Sequence, residues 1–136
     1  MTEAHRALMK LRIRQAWEDL AVARKICDGE SPSRSVVNRL YYACFYAVCA
    51  LLAMRGMDES KHTGVRSQFS RHFVNTGEFE IGLAKFFNRL FDARLQCEYE
   101  QRDLEIPREM LVEWLASAER FIQSVDDYLS DHNDES

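Results

Sequence analysis

Apolar residues recur along most of this chain at helical spacing, but one stretch departs from that rhythm. Leu40 to Met54, LYYACFYAVCALLAM, runs for fifteen residues without a charge, a Gly or a Pro. An apolar run with no polar face predicts a helix enclosed by other helices. A bilayer span takes about 20 predominantly apolar residues, and here Arg39 and Arg55-Gly56 close the run at both ends. The expectation is the core helix of a bundle and no membrane span.

The flanking pattern supplies the wrapping. Ala7, Leu8, Leu11, Ala16, Leu20, Ala23 and Ile26 predict a first helix from Thr2 to Asp28, with Trp17 packed in the bundle and Gly29 as a left-handed stop. Ser31-Pro32 reads as the cap and first position of the second helix, which carries the central run to Arg55. Val65, Phe69 and Phe73 mark a short third helix from Thr63 to Val74, and a turn follows at Asn75-Thr76-Gly77. Leu83, Phe86, Phe87, Leu90, Phe91 and Leu95 give a fourth helix, Glu80 to Glu100. Beyond Pro107, Met110, Leu111, Trp114, Leu115, Ala118, Phe121, Ile122, Val125 and Leu129 form the strongest amphipathic stripe of the chain. The predicted class is all-α: an up-and-down four-helix bundle with an additional short helix, in one domain over residues 1–136, ending in a flexible acidic tail at 130–136.

Composition agrees with this reading. Two Pro and five Gly in 136 residues leave little for a turn-rich β architecture, and 46% hydrophobic residues suffice for a core. Cys27, Cys44, Cys49 and Cys97 form no C-x-x-C pair, so neither disulfides nor a metal site is expected. The polar opening MTEAHRALMK has no apolar segment behind it, which predicts no secretory signal and a cytoplasmic location. The net charge of -4 hides an asymmetry: residues 1–97 hold 15 Lys and Arg against 10 Asp and Glu, residues 98–136 hold 3 against 12. The first part suits a phosphate and the last repels one.

Much familiar chemistry is absent. There is no G-x-S-x-G turn, no phosphate-cradling glycine loop and no DNA-specific motif. His5, His62, His72 and His132 are scattered without metal-ligand spacing, so neither metal nor other cofactor is expected. What remains is phosphate and nucleotide handling by Arg, Lys, His and Tyr. Three groups qualify: Asn38 and Arg39 beside Tyr41 and Tyr42; Lys61, His62 and Arg66 near the start of the third helix; and Arg94 with Glu98 and Tyr99. A solvated helix end is the competing reading for the first two, and an internal ion pair between Arg94 and Glu98 for the third.

In order along the chain, Asn38-Arg39-Leu40-Tyr41-Tyr42-Ala43, then Lys61-His62-Thr63-Gly64-Val65 with Phe69 and Phe73, then Arg94 with Glu98-Tyr99, resemble the HEPN (higher eukaryotes and prokaryotes nucleotide-binding) domain family. The similarity is to its small prokaryotic branch and runs from Ala16 to Leu129. The resemblance implies a helical bundle, usually a homodimer, that accompanies a minimal nucleotidyltransferase as a toxin–antitoxin pair. Many members are metal-independent ribonucleases in which an Arg is followed four to six residues later by a His, and in some pairs the nucleotidyltransferase modifies a Tyr beyond that His. Here Glu98, Tyr99 and Glu100 stand at those positions after Arg94. Arg66 and His72 have the spacing, but six residues of α-helix leave them about 120° apart. A phenol with an ordinary pKa near 10 replaces an imidazole poorly at neutral pH.

The expectation is a nucleotide- or RNA-binding bundle using Asn38, Arg39, Tyr42, Lys61, His62, Arg66 and Arg94, with His62, Arg94 and Tyr99 as catalytic candidates. Two alternatives stand beside it. One is a metal-independent ribonuclease toxin, and the other is a structural helical partner domain that docks through its acidic tail.

Overall fold

The computed structural model describes residues 1–29, 31–57, 62–99 and 106–132, with the side chains of His62, Thr63 and Tyr99 outside the description. Five α-helices follow in order: α1 (Glu3–Cys27), α2 (Ser33–Met54), α3 (His62–Phe69), α4 (Ile81–Tyr99) and α5 (Arg108–His132). A π-helical turn, Ser70–Val74, continues α3, and no strand occurs among the described residues. The all-α class is as the apolar pattern predicts.

The charge-free run becomes the centre of the bundle because α2 packs against α1, α3, α4 and α5. Val36, Val37, Leu40, Tyr41, Ala43, Cys44, Ala47, Val48, Ala50 and Leu51 are sealed from solvent. By length and composition α2 alone among the described helices could cross a bilayer, yet 72% of its apolar window is buried inside the bundle. Aromatic rings fill the space on the α3 side: Phe69 lies within 5.7–6.3 Å, centroid to centroid, of Phe73, Phe79, Phe87 and Phe121. Trp17 packs on the core and donates its indole N–H to Asp126 on α5 at 2.8 Å.

Several boundaries differ from the sequence reading, each for a local reason. Gly29 is not the left-handed residue; Gly56 (φ 71) and Gly77 (φ 84) are, ending α2 and turning the chain after the π-helical turn. Pro32, rather than Ser31, is the N-cap of α2, and Ser33 uses its hydroxyl to donate to the Ile106 carbonyl at 3.2 Å. The predicted third helix splits, because after Phe69 the ladder slips to an i to i+5 pattern in which Asn75 N–H reaches the Ser70 carbonyl at 2.8 Å. Met110, expected in the buried stripe of α5, is 43% exposed. Residues 133–136 of the predicted tail lie outside the described residues; residues 130–132 belong to α5.

Candidate functional site

The first turns of α2 are polar because they rise above the apolar run, and they meet the end of α4 there. Between them lies a cleft of about 340 Å³ lined by Arg34, Ser35 and Asn38 of α2 and by Arg94, Cys97 and Glu98 of α4. Arg94 is held there from several sides. Its Nε donates to Asn38 Oδ1 at 3.4 Å, and its Nη2 donates to the Tyr42 hydroxyl at 3.2 Å and lies 3.7 Å from Glu98 Oε2. Its Cζ stands 5.2 Å from the ring centroids of both Tyr41 and Tyr42, within cation–π range. Nη1 donates to no acceptor among the described residues. A guanidinium fixed on one edge in the wall of a cleft suits a planar anion such as a phosphate or carboxylate.

Support for that arginine comes from below. Tyr41 is fully buried, with its ring stacked on Phe87 at 5.7 Å and tilted against Phe91 at the same distance. Burial pushes its phenol well above the ordinary range, opposed by the nearby charge of Arg94, so Tyr41 stays a neutral platform. Arg66 comes from α3 onto the same aromatic group: its Cζ is 3.9 Å from the Phe91 centroid and its Nε donates to Asn88 at 3.0 Å.

Arg39 points the other way. It pairs with Asp19 of α1 at 3.0 Å beside a second cleft of about 390 Å³ between α1 and α2, which Asn38 also lines. Burial raises the Asp19 carboxyl above its ordinary value, although the bond and charge of Arg39 pull it down. The structure therefore brings Asn38, Tyr42 and Arg94 into contact, places Arg66 on the adjoining aromatic cluster, and turns Arg39 toward α1. Lys61 lies outside the described residues, as do the side chains of His62 and Tyr99, although His62 opens α3 and Tyr99 ends α4. Among the described residues no group of three metal-ligating side chains gathers.

A second polar cluster escaped the sequence reading. At the opposite end of α2, Arg55 donates to the His72 carbonyl at 3.1 Å, to Glu78 at 2.8 Å and to the Tyr128 hydroxyl at 2.9 Å, with its Cζ 4.2 Å over the Phe73 ring. The Tyr128 hydroxyl in turn donates to Glu78, and His132 stacks on Tyr128. The only sequence signal was an arginine closing the apolar run and a lone tyrosine beside the stripe of α5.

A profile of the HEPN domain family matches residues 9–128. A UPF0332 protein of Thermotoga maritima is 39% identical over 118 residues, which is 87% of this chain and 88% of that protein. A Methanocaldococcus jannaschii protein named a putative toxin is 30% identical over 128 residues, 94% of this chain and 85% of its own. A second protein of that archaeon with the same kind of name is 31% identical over 84 residues, 62% of each chain.

Proposed function

The chain belongs to the HEPN domain family, and from that premise we propose that it binds nucleotide or RNA phosphate in the cleft between α2 and α4. The observation that carries the reading is Arg94, a lining residue of the cleft whose Nε and Nη2 are held by Asn38 and Tyr42 while Nη1 donates to no acceptor among the described residues. Arg34 adds positive charge at the rim and Glu98 tempers it. The reading also takes the chain to be the toxin-type member of a pair with a minimal nucleotidyltransferase, and a homodimer; the names of the two archaeal relatives support the first part. Isothermal calorimetry with mononucleotides and short single-stranded RNA tests the binding. Wild type should give saturable heat that Arg94→Ala removes, and an absence of heat with every ligand would refute it.

The ribonuclease alternative is less well supported. Arg94 faces the carboxylate of Glu98 where the family's ribonucleases have an imidazole. It predicts cleavage of RNA without added metal, lost in Arg94→Ala and His62→Ala; purified protein that leaves RNA intact excludes it. The pairing is tested by co-expression, where growth arrest by the chain alone should be relieved by a cognate nucleotidyltransferase.

A further inference from the structure

The cleft between α1 and α2 adjoins the Arg94 cleft but has different chemistry. Asn38 lines both, and Tyr42 links them: its hydroxyl receives Arg94 of the first, and the residue lines the second. There the Tyr46 ring lies 6.0 Å from that of Tyr42, tilted by 34°, and both side chains are half-buried. From α1 come Gln15 and Asp19, one helical turn apart on the same face, with Glu18 at the rim. Asp19 pairs with Arg39 and Glu18 with Arg14, so this lining has no surplus of positive charge to draw a phosphate. Two phenol rings beside an amide and a carboxylate make it a good site for a nucleobase.

The polar atoms also have an order. Arg12, whose Cζ is 5.7 Å from the Tyr46 centroid, donates to Gln15 Oε1 at 2.8 Å, which leaves the amide N–H₂ of Gln15 as the end for a ligand. The Asp19 side chain is 14% exposed and receives Arg39 at Oδ1. A carboxylate has acceptor sites beyond that one bond. Burial alone disfavours the ionised form of Asp19, so ligand N–H groups would stabilise a charge that Arg39 only partly compensates.

Resting on the reading of Arg94 as the phosphate contact, we infer that the cleft between α1 and α2 is a base subsite selective for guanine in single-stranded RNA. The base packs against Tyr42 and Tyr46 and turns its Watson–Crick edge to Gln15 and Asp19. Guanine offers a carbonyl acceptor followed by two N–H donors along that edge, matching an amide donor next to a carboxylate acceptor. Adenine offers a donor followed by an acceptor, the inverse. Uracil matches in its carbonyl and one N–H but lacks the amino group and the larger ring. A duplex would hide the edge, so the subsite requires an unpaired strand.

Fluorescence anisotropy on the full chain with the RNA hexamers AAAAAA and AGAGAG, in one buffer, tests this. Wild type should bind AGAGAG about tenfold more tightly, the size of one good paired base contact. Asp19→Asn, checked for folding by circular dichroism, should bring the ratio to within about twofold, and Gln15→Leu serves as the second variant if Asp19→Asn does not fold. Arg94→Ala should weaken both hexamers and keep their ratio. Equal binding of the two hexamers by wild type, both weakened by Arg94→Ala, would overturn the guanine subsite and leave the phosphate reading standing. A ratio that survives both Asp19→Asn and Gln15→Leu would also overturn it, and binding of neither hexamer would overturn both readings.

Discussion

Replacing Arg55 by Met keeps an apolar stem while removing the guanidinium that ties three elements together. The losses can be counted. The ion pair with Glu78, two side chains each 33% exposed, contributes about 0.2–1 kcal/mol at such exposure. The bonds to the His72 carbonyl and the Tyr128 hydroxyl add about 1 kcal/mol together after exchange with water. The cation over Phe73 adds about 0.5–1 kcal/mol. Arg55→Met should therefore destabilise the bundle by roughly 2–3 kcal/mol, or roughly 7–10 °C in Tm at this chain length. Urea unfolding followed by circular dichroism measures it, and a loss below about 0.5 kcal/mol would refute the idea that this contact clamps the π-helical turn to α2 and α5. The pH dependence supplies a second check. Burial by itself would raise Glu78, but the Tyr128 hydroxyl and Arg55 outweigh it and hold the carboxyl below its ordinary value of 4.5. A depressed folded-state pKa gives stability that is complete above the unfolded value and is lost as pH falls through the folded one. The stability gap between wild type and Glu78→Gln should then be constant across neutral pH and close below about pH 4.5.

Phe69→Ala removes a ring that is 1% exposed and touches four other phenylalanines, and should cost about 3–5 kcal/mol in urea unfolding; a cost under about 1 kcal/mol would show that the site collapses or is not packed. Burial pushes the Cys49 thiol up to about 12 and Cys44 further, so mass spectrometry should find both unlabelled by a thiol reagent near pH 8 in native buffer and labelled in denaturant. Rapid labelling of Cys44 in the folded protein would contradict the burial of α2.

The bundle was legible because its central helix has no charge for fifteen residues and its neighbours carry plain helical stripes. The fold follows from where apolar surface must go, and that information is local. The contact between Asn38 and Arg94 is not local: the two lie 56 positions apart, and only the family resemblance linked them. The direction of Arg39 was hidden because its partner Asp19 sits among ordinary surface charges on α1. The π-helical turn left no mark either, since Phe69 and Phe73 keep the four-residue spacing of a regular helix. The Arg55 cluster joins a helix end, a turn and a distant tyrosine, each unremarkable alone, and so became visible only once the chain was folded.

The central claim is that the Nη1 edge of Arg94, backed by Asn38 and Tyr42, receives a phosphate. The most direct measurement is a two-dimensional ¹H–¹⁵N NMR titration of the arginine side chains with a mononucleotide. The account predicts that the Arg94 resonance moves saturably, that Arg120 on the outer face of α5 does not, and that the shifts vanish in Arg94→Ala. An Arg94 resonance that stays fixed while others move, or no movement at saturating ligand, would contradict it.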